Sequence, residues 1–290
     1  MADLAEPHLR LLDLQAQAHT LASGVVLHAV RQGQGTPLVL VHGAMGDWRS
    51  WGAQWPALVP HADCVSYSRR YSHPNPNRMP SPDHSALQEA EDLLGLLDAM
   101  GIARALLVGT SYGAYTALAA AVAAPERVLG VVAVEPPMMK YAERDPQGQA
   151  IAAAFRRETI EPANAAFRAG DDVLGAQRMT GGIQGAPAPQ ADTPAMQQRM
   201  QNLLAMKMLA LSSDEFPWLA PERLAALPMP VLLLRGERTA PVHRAIFEAL
   251  RPQVPTWQTQ VVPDSGHGVP REQPEIFNRL VLDLLRRIEG

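Results

Sequence analysis

Cysteine is almost missing from this 290-residue chain: Cys64 stands alone. No intrachain disulfide is possible, and a lone thiol within an apolar run reads as a buried structural residue rather than a nucleophile. No apolar run approaches the length that crosses a bilayer. Residues Met1 to Gln15 carry acids and a proline where a secretory leader needs a basic start and an apolar centre. These absences lead to the expectation of a soluble, cytoplasmic protein with no membrane partner. An excess of positive charge is missing too: the formal net charge is -4, which leaves no electrostatic footprint for nucleic acid. His61, His73 and His84 lie among prolines without metal-ligand spacing, and solvated loop positions are expected for them. Neither a metal nor an organic cofactor is expected. Composition carries no signal for oligomeric state.

What the chain does contain is a hydrophobic fraction of 47%, enough for a sizeable core. Chains of this length with alternating strands and helices form single units, so one core carrying an insertion is expected. The central stretch is Ala105 to Leu118. An apolar run ends in Gly109-Thr110-Ser111-Tyr112-Gly113 and passes directly into an Ala-rich helical stretch. That is the strand, sharp turn and helix required of a G-x-S-x-G nucleophile elbow, with Ser111 as the nucleophile. Gly109 and Gly113 lack the β-carbons that would collide where strand and helix approach.

Reading from the start, residues 1–23 are expected to be a lead-in without function. Strands are expected at Gly24 to Val30, Pro37 to Val41 and Asp63 to Ser68. The second ends in His42-Gly43-Ala44, where the Ala44 amide and that of Tyr112 are the candidates to hold an oxyanion. Trp48, Trp51 and Trp55 have helical spacing and are expected to cover the sheet edge, with Trp48 the one placed to line a pocket. Arg69, Arg70 and His73 occupy a proline-rich loop and are expected to hold it together. His84 to Met100 has helical apolar spacing. Leu129 to Val134 is a further strand and runs into Glu135-Pro136-Pro137.

From Met138 to Ala225 the rhythm changes. Helices are expected over Ile151 to Phe167 and Ala195 to Leu211, interrupted by the Gly-, Pro- and Ala-rich stretch Gly181 to Pro194. Seven of the twelve methionines fall here, which suits a lid over an apolar pocket. The sheet resumes at Pro230 to Leu234, and Thr256 to Val262 is the last strand. His267 follows it in a glycine-flanked loop, and Gln273 to Ile288 is an amphipathic terminal helix.

The order of His42-Gly43, the Ser111 elbow, Gly236-Glu237 and Ser265-Gly266-His267 resembles the α/β-hydrolase fold from about Gly24 onward. The resemblance implies a mostly parallel eight-stranded sheet flanked by helices, with core segments 24–137 and 226–290. It also implies a helical cap, 138–225, inserted after the sixth strand, and a Ser–acid–His triad. One position departs from the pattern. Where most relatives carry the triad aspartate, this chain has Thr239. Glu135, Glu237 and Asp264 remain for that role. Glu135 is the expected one, since branches such as haloalkane dehalogenases and lactonases of a macrocyclic fungal lactone place the acid just after the sixth strand. Glu237 is two residues short of the usual place, and Asp264 is too near His267 to reach behind its ring.

Serine at the elbow argues against dehalogenase and epoxide hydrolase chemistry, which in those relatives uses an aspartate. The expected activity is hydrolysis of an apolar carboxylic ester or lactone: Ser111 attacks, His267 moves the proton, Glu135 orients the ring, and the Ala44 and Tyr112 amides hold the oxyanion. Two alternatives stand beside it. One is a hydrolase of carbon–carbon bonds in ring-cleavage products, with Arg69 or Arg70 binding a substrate carboxylate; the other is a non-catalytic ligand receptor.

Overall fold

The computed structural model describes residues 10–79, 81 and 84–290; the first nine residues of the expected lead-in lie outside them. Eight strands form one sheet in the order β1-β2-β4-β3-β5-β6-β7-β8. They are β1 Gln17–Thr20, β2 Val26–Gln32, β3 Pro37–Val41, β4 Asp63–Tyr67, β5 Ala105–Thr110, β6 Val128–Val134, β7 Val231–Gly236 and β8 Gln258–Val262. β2 pairs antiparallel with both β1 and β4, and every pairing from β4 across to β8 is parallel.

The central strands are apolar on both faces, as strands covered on both sides must be. Val39, Val41, Leu107, Val131, Ala133 and Leu233 face one buried cluster, together with residues from the helices Ala86–Ala99, Tyr112–Ala123 and Pro241–Leu250. Their chain neighbours Leu38, Leu40, Leu106, Val108, Val132, Leu232 and Leu234 face the other, which includes Phe277, Val281, Leu284 and Leu285 of the terminal helix Pro274–Glu289. The three tryptophans belong to this second cluster, and Trp51 stacks on Phe277 at 6.2 Å between ring centroids. Of the three, Trp51 rather than Trp48 is in the wall of a cavity next to Ser111.

The helix Tyr112–Ala123 is buried along nearly its whole length. Its alanines let it lie close to the sheet, and at its start a β-carbon on Gly113 would stand 2.0 Å from the Val41 carbonyl oxygen. No larger residue fits there.

Between β6 and β7 the chain builds a helical layer of its own. Its main helices are Pro146–Phe155, Glu161–Arg168, Asp172–Gln184, Pro194–Gln201 and Leu203–Leu211, around a small core that includes Phe167, Met179, Met196 and Met206. The layer is docked by buried polar contacts. Asn202 Nδ2 donates to Asp47 Oδ2 at 2.9 Å, and its Oδ1 accepts from the His73 amide at 2.9 Å.

Three expectations change in detail. The sheet begins at Gln17 rather than Gly24, because the polar stretch Gln17–Thr20 pairs with β2 as a short edge strand. The expected helix Ala195 to Leu211 breaks at Asn202, whose side chain is turned to Asp47. Ile151 to Phe167 is two α-helices joined through a wider turn at Arg156–Ile160. Among the described residues, no helix is long and apolar enough to cross a membrane.

Candidate active site

Ser111 sits where β5 gives way to the helix Tyr112–Ala123, at φ 52° and ψ -119°. A non-glycine residue holds such a backbone only where its surroundings enforce it. Here the enforcement is visible: the Ser111 amide donates to the Val134 carbonyl at 2.7 Å, and a β-carbon on Gly109 would lie 2.3 Å from the Gly113 carbonyl oxygen. Tyr112 is the first residue of the helix, where amides have no intrahelical acceptor. Among the described residues neither the Ala44 nor the Tyr112 amide donates to a backbone carbonyl outside regular helix and strand bonding. Ala44, Ser111 and Tyr112 all line one cavity of about 260 Å³ whose wall is mostly apolar, including Phe155, Ile160, Met179, Phe216 and Ile246. Ser111 also lines a second cavity of about 340 Å³, together with Ala44 and His267. The serine stands where the two spaces meet.

Glu135 follows β6 directly, at φ 47°, and is 3% exposed. Three donors converge on its carboxylate. The Gly236 amide reaches Oε1 at 2.8 Å, the Thr239 hydroxyl reaches Oε2 at 2.8 Å, and His267 Nδ1 lies 2.6 Å from Oε2. Burial alone would push this carboxyl up; the hydrogen bond and charge of His267, with the Gly236 amide, outweigh it and hold the group below the usual carboxylate range. Thr239, which cannot supply an acid, instead donates its hydroxyl to one. Glu237 and Asp264 are elsewhere: Glu237 Oε2 accepts from the Asp264 amide at 3.1 Å, and Asp264 pairs with Arg238.

One side chain here gave no sequence signal. His243, from the helix Pro241–Leu250, stacks on His267 with centroids 4.0 Å apart and ring planes 18° from parallel. Its Nε2 is 2.9 Å from the Ile183 carbonyl. Glu135, His243 and His267 bring potential metal-ligand atoms within 4.8 Å of one another. Imidazole offers its lone pair in the ring plane, so an ion in the plane of one stacked ring lies off the plane of the other. The stack therefore reads as a ring contact.

Burial pushes His243 down to about 4, helped by the charge of His267, and pushes His42 down to about 3, helped by Arg69. Both remain neutral in the fold at pH values where an unfolded histidine, near 6.5, already binds a proton. The unfolded state then takes up more protons, so stability falls as pH drops from 6.5 towards 4. The loss from His243 alone is on the order of 3 kcal/mol by the lower limit. Thermal unfolding followed from pH 7 to pH 4 should show this slope, and His243→Phe, which keeps a flat ring on His267, should flatten it. An unchanged slope would place the proton uptake elsewhere.

The profile of the alpha/beta hydrolase family matches residues 38–280. This chain belongs to that family. It is 30% identical over 210 residues to the 2-hydroxy-6-oxononadienedioate/2-hydroxy-6-oxononatrienedioate hydrolase of Burkholderia vietnamiensis, covering 68% of each chain. A Pseudomonas putida hydrolase named for the same two compounds is 26% identical over 291 residues, with 95% of this chain and 93% of the relative covered. Among solved structures, carboxylesterase CesB from Bacillus subtilis superposes with a TM-score of 0.70 at 22% identity, covering 95% of this chain and 93% of that one.

The two arginines considered for a substrate carboxylate in this α/β hydrolase are already engaged. Arg69 is 1% exposed and pairs with Glu89 at 3.1 Å, and Arg70 holds Asp92 through Nε at 2.6 Å and Nη2 at 2.7 Å. Neither lines the two cavities. His84 is buried against Tyr71 and Glu89 rather than solvated.

Proposed function

We propose that this α/β hydrolase is a serine hydrolase of carboxylic esters or lactones, working through Ser111, His267 and Glu135. The observation that carries the proposal is the 2.6 Å contact between Glu135 and His267 Nδ1, with His267 and Ser111 in the wall of one cavity. An Nδ1 proton held by the carboxylate leaves Nε2 free to accept. Ser111 Oγ adds to the carbonyl carbon while His267 takes its proton. The oxygen that becomes negative is met by the Ala44 and Tyr112 amides. Collapse of this adduct expels the alkoxide, which leaves with the proton from His267. Water, activated by the same ring, then cleaves the acyl-serine and frees the acid. The helical layer between β6 and β7 serves as the cap, supplying Phe155, Ile160 and Met179 to the apolar cavity. The substrate is thus a small molecule with an apolar portion. Hydrolysis of a p-nitrophenyl ester series and a lactone panel tests the reading. Turnover with a chain-length preference supports it, and a parent protein inert to every ester and lactone overturns it.

A second reading is favoured by one side chain. Arg199 is 7% exposed, lines the same cavity as Ser111 and His267, and its Nη1 has no hydrogen-bond partner among the described residues. Burial, with Arg271 nearby, lowers its pKa, the signature of a buried cation lacking a counter-charge. A carboxylate on the substrate would supply that charge. The relatives named for nonadienedioates are hydrolases of compounds that carry such groups, so carbon–carbon hydrolysis of an acidic ring-cleavage product is the alternative use of the same serine. Arg199→Met should lower kcat/KM for an acid-bearing substrate by about 10- to 100-fold relative to an uncharged ester, as expected for a lost charged hydrogen bond. Equal loss on both substrates would make Arg199 a packing residue.

A further inference from the structure

We propose that Arg69 is a positioning residue that ties the two oxyanion donors into one rigid unit; the inference rests on the serine hydrolase reading above. The two amides come from segments far apart in the chain. Ala44 follows β3, and Tyr112 follows β5. Nothing in the local sequence fixes the distance between them, yet an oxyanion hole works only when both donors are aimed at one point before the charge appears.

Arg69 touches both segments. Its guanidinium lies 3.7 Å from the centroid of the Tyr112 ring. Its Nε donates to the His42 carbonyl at 3.2 Å, and Nη2 makes a longer contact with the Gly43 carbonyl at 3.5 Å, one residue before Ala44. The backbone of Arg69 adds a fourth contact, donating to His42 Nε2 at 2.9 Å. That bond requires His42 Nε2 to be the bare nitrogen, so Nδ1 carries the proton and donates to the Gly43 carbonyl at 2.7 Å. The His-Gly turn is thus clamped from both sides by a neutral histidine and a cation.

The cation in turn is fixed from behind. Glu89, 1% exposed, accepts from Arg69 Nη1 at 3.1 Å and from the Arg70 amide at 3.2 Å. The Tyr112 hydroxyl donates to Glu215, so the ring beneath the guanidinium cannot swing away. A planar, forked guanidinium suits this work because one group can stack on a ring and donate in its own plane. Lysine offers charge without either. The sequence leads to the expectation that Arg69 holds its own proline-rich loop; its side chain instead reaches the separate loop that bears Ala44.

Displacing a donor by about 1 Å costs on the order of 100-fold, mostly in the chemical step. The test uses Arg69→Lys, which keeps a cation beside Glu89, and Tyr112→Leu, which removes the ring face but keeps the backbone amide. A fluorophosphonate titration counts competent Ser111 in each preparation, so losses from misfolding are divided out. Per titrated site, kcat on a p-nitrophenyl ester should fall about 10- to 100-fold in each variant with KM within about twofold of parent. A trifluoromethyl ketone, whose serine adduct carries the oxyanion, should bind more weakly by a similar factor. Unchanged kcat per site, or a loss confined to KM, overturns the proposal. If instead the parent turns over no ester, the serine hydrolase reading fails first, and that outcome is seen before any variant is made.

Discussion

Ser111→Ala is expected to reduce turnover of a p-nitrophenyl ester by about 10⁴-fold or more, with any residual activity coming from the oxyanion donors and substrate binding alone. Alanine keeps the β-carbon, so the strained φ of 52° and the bond from the residue 111 amide to Val134 are retained. Thermal stability should stay near the parental value, which separates lost chemistry from lost fold. Fluorophosphonate labelling should vanish in the same variant. The same loss is expected if the substrate is cleaved at a carbon–carbon bond, since that reading uses the same serine. A variant retaining more than about one-tenth of parental activity would remove Ser111 from the nucleophile's role. A parent that labels at Ser111 yet turns over no ester, lactone or ring-cleavage product would favour the receptor alternative.

Much of this site was legible because its demands are local. The elbow needs glycine on both sides of Ser111 and an apolar strand before it, and all three are adjacent in sequence. The sheet was legible for the same reason, since β3, β5, β6 and β7 are built on the apolar runs Leu38–Val41, Ala105–Val108, Val131–Val134 and Val231–Leu234. β1 was missed because Gln17–Thr20 is polar and mostly exposed, and it is a strand only through its pairing with Val26–Ala29. Other features depend on contacts that no spacing encodes. His243 meets His267 only once two loops and a helix are assembled, and what sets Arg199 apart is a buried Nη1 with no hydrogen-bond partner among the described residues. Asn202 interrupts a run with continuous helical periodicity, and its reason for doing so, Asp47, is 155 residues away. The absence of an acid at Thr239 points to Glu135 as the candidate acid, but no spacing encodes the bond from the Thr239 hydroxyl to that carboxylate.

That bond shapes the second large effect. Glu135→Gln should lower kcat by about 10³- to 10⁴-fold with KM little changed. The carboxylate accepts from Gly236, Thr239 and His267 at once. An amide has one acceptor oxygen and an NH₂ that can only donate, so it cannot serve all three. With its oxygen toward the Gly236 amide, the NH₂ faces His267 Nδ1, strips that nitrogen of its proton and leaves Nε2 protonated toward the cavity. The ring is then in the tautomer that cannot take a proton from serine. Glu237→Gln should remain within about twofold of parent, because its Oε2 bonds the Asp264 amide and not the histidine. Thr239→Asp provides the converse test. Its side chain starts 2.8 Å from Glu135 Oε2, so in the Glu135→Gln background it should return part of the lost kcat by placing a charge beside Nδ1 again. In the parent background the same change sets two carboxylates together, which disfavours ionising both and should cost stability above the usual carboxylate range. Activity of Glu135→Gln within about tenfold of parent would dismiss Glu135 as the triad acid. Rescue by Thr239→Asp would show that the ring needs a negative partner, whichever strand end supplies it.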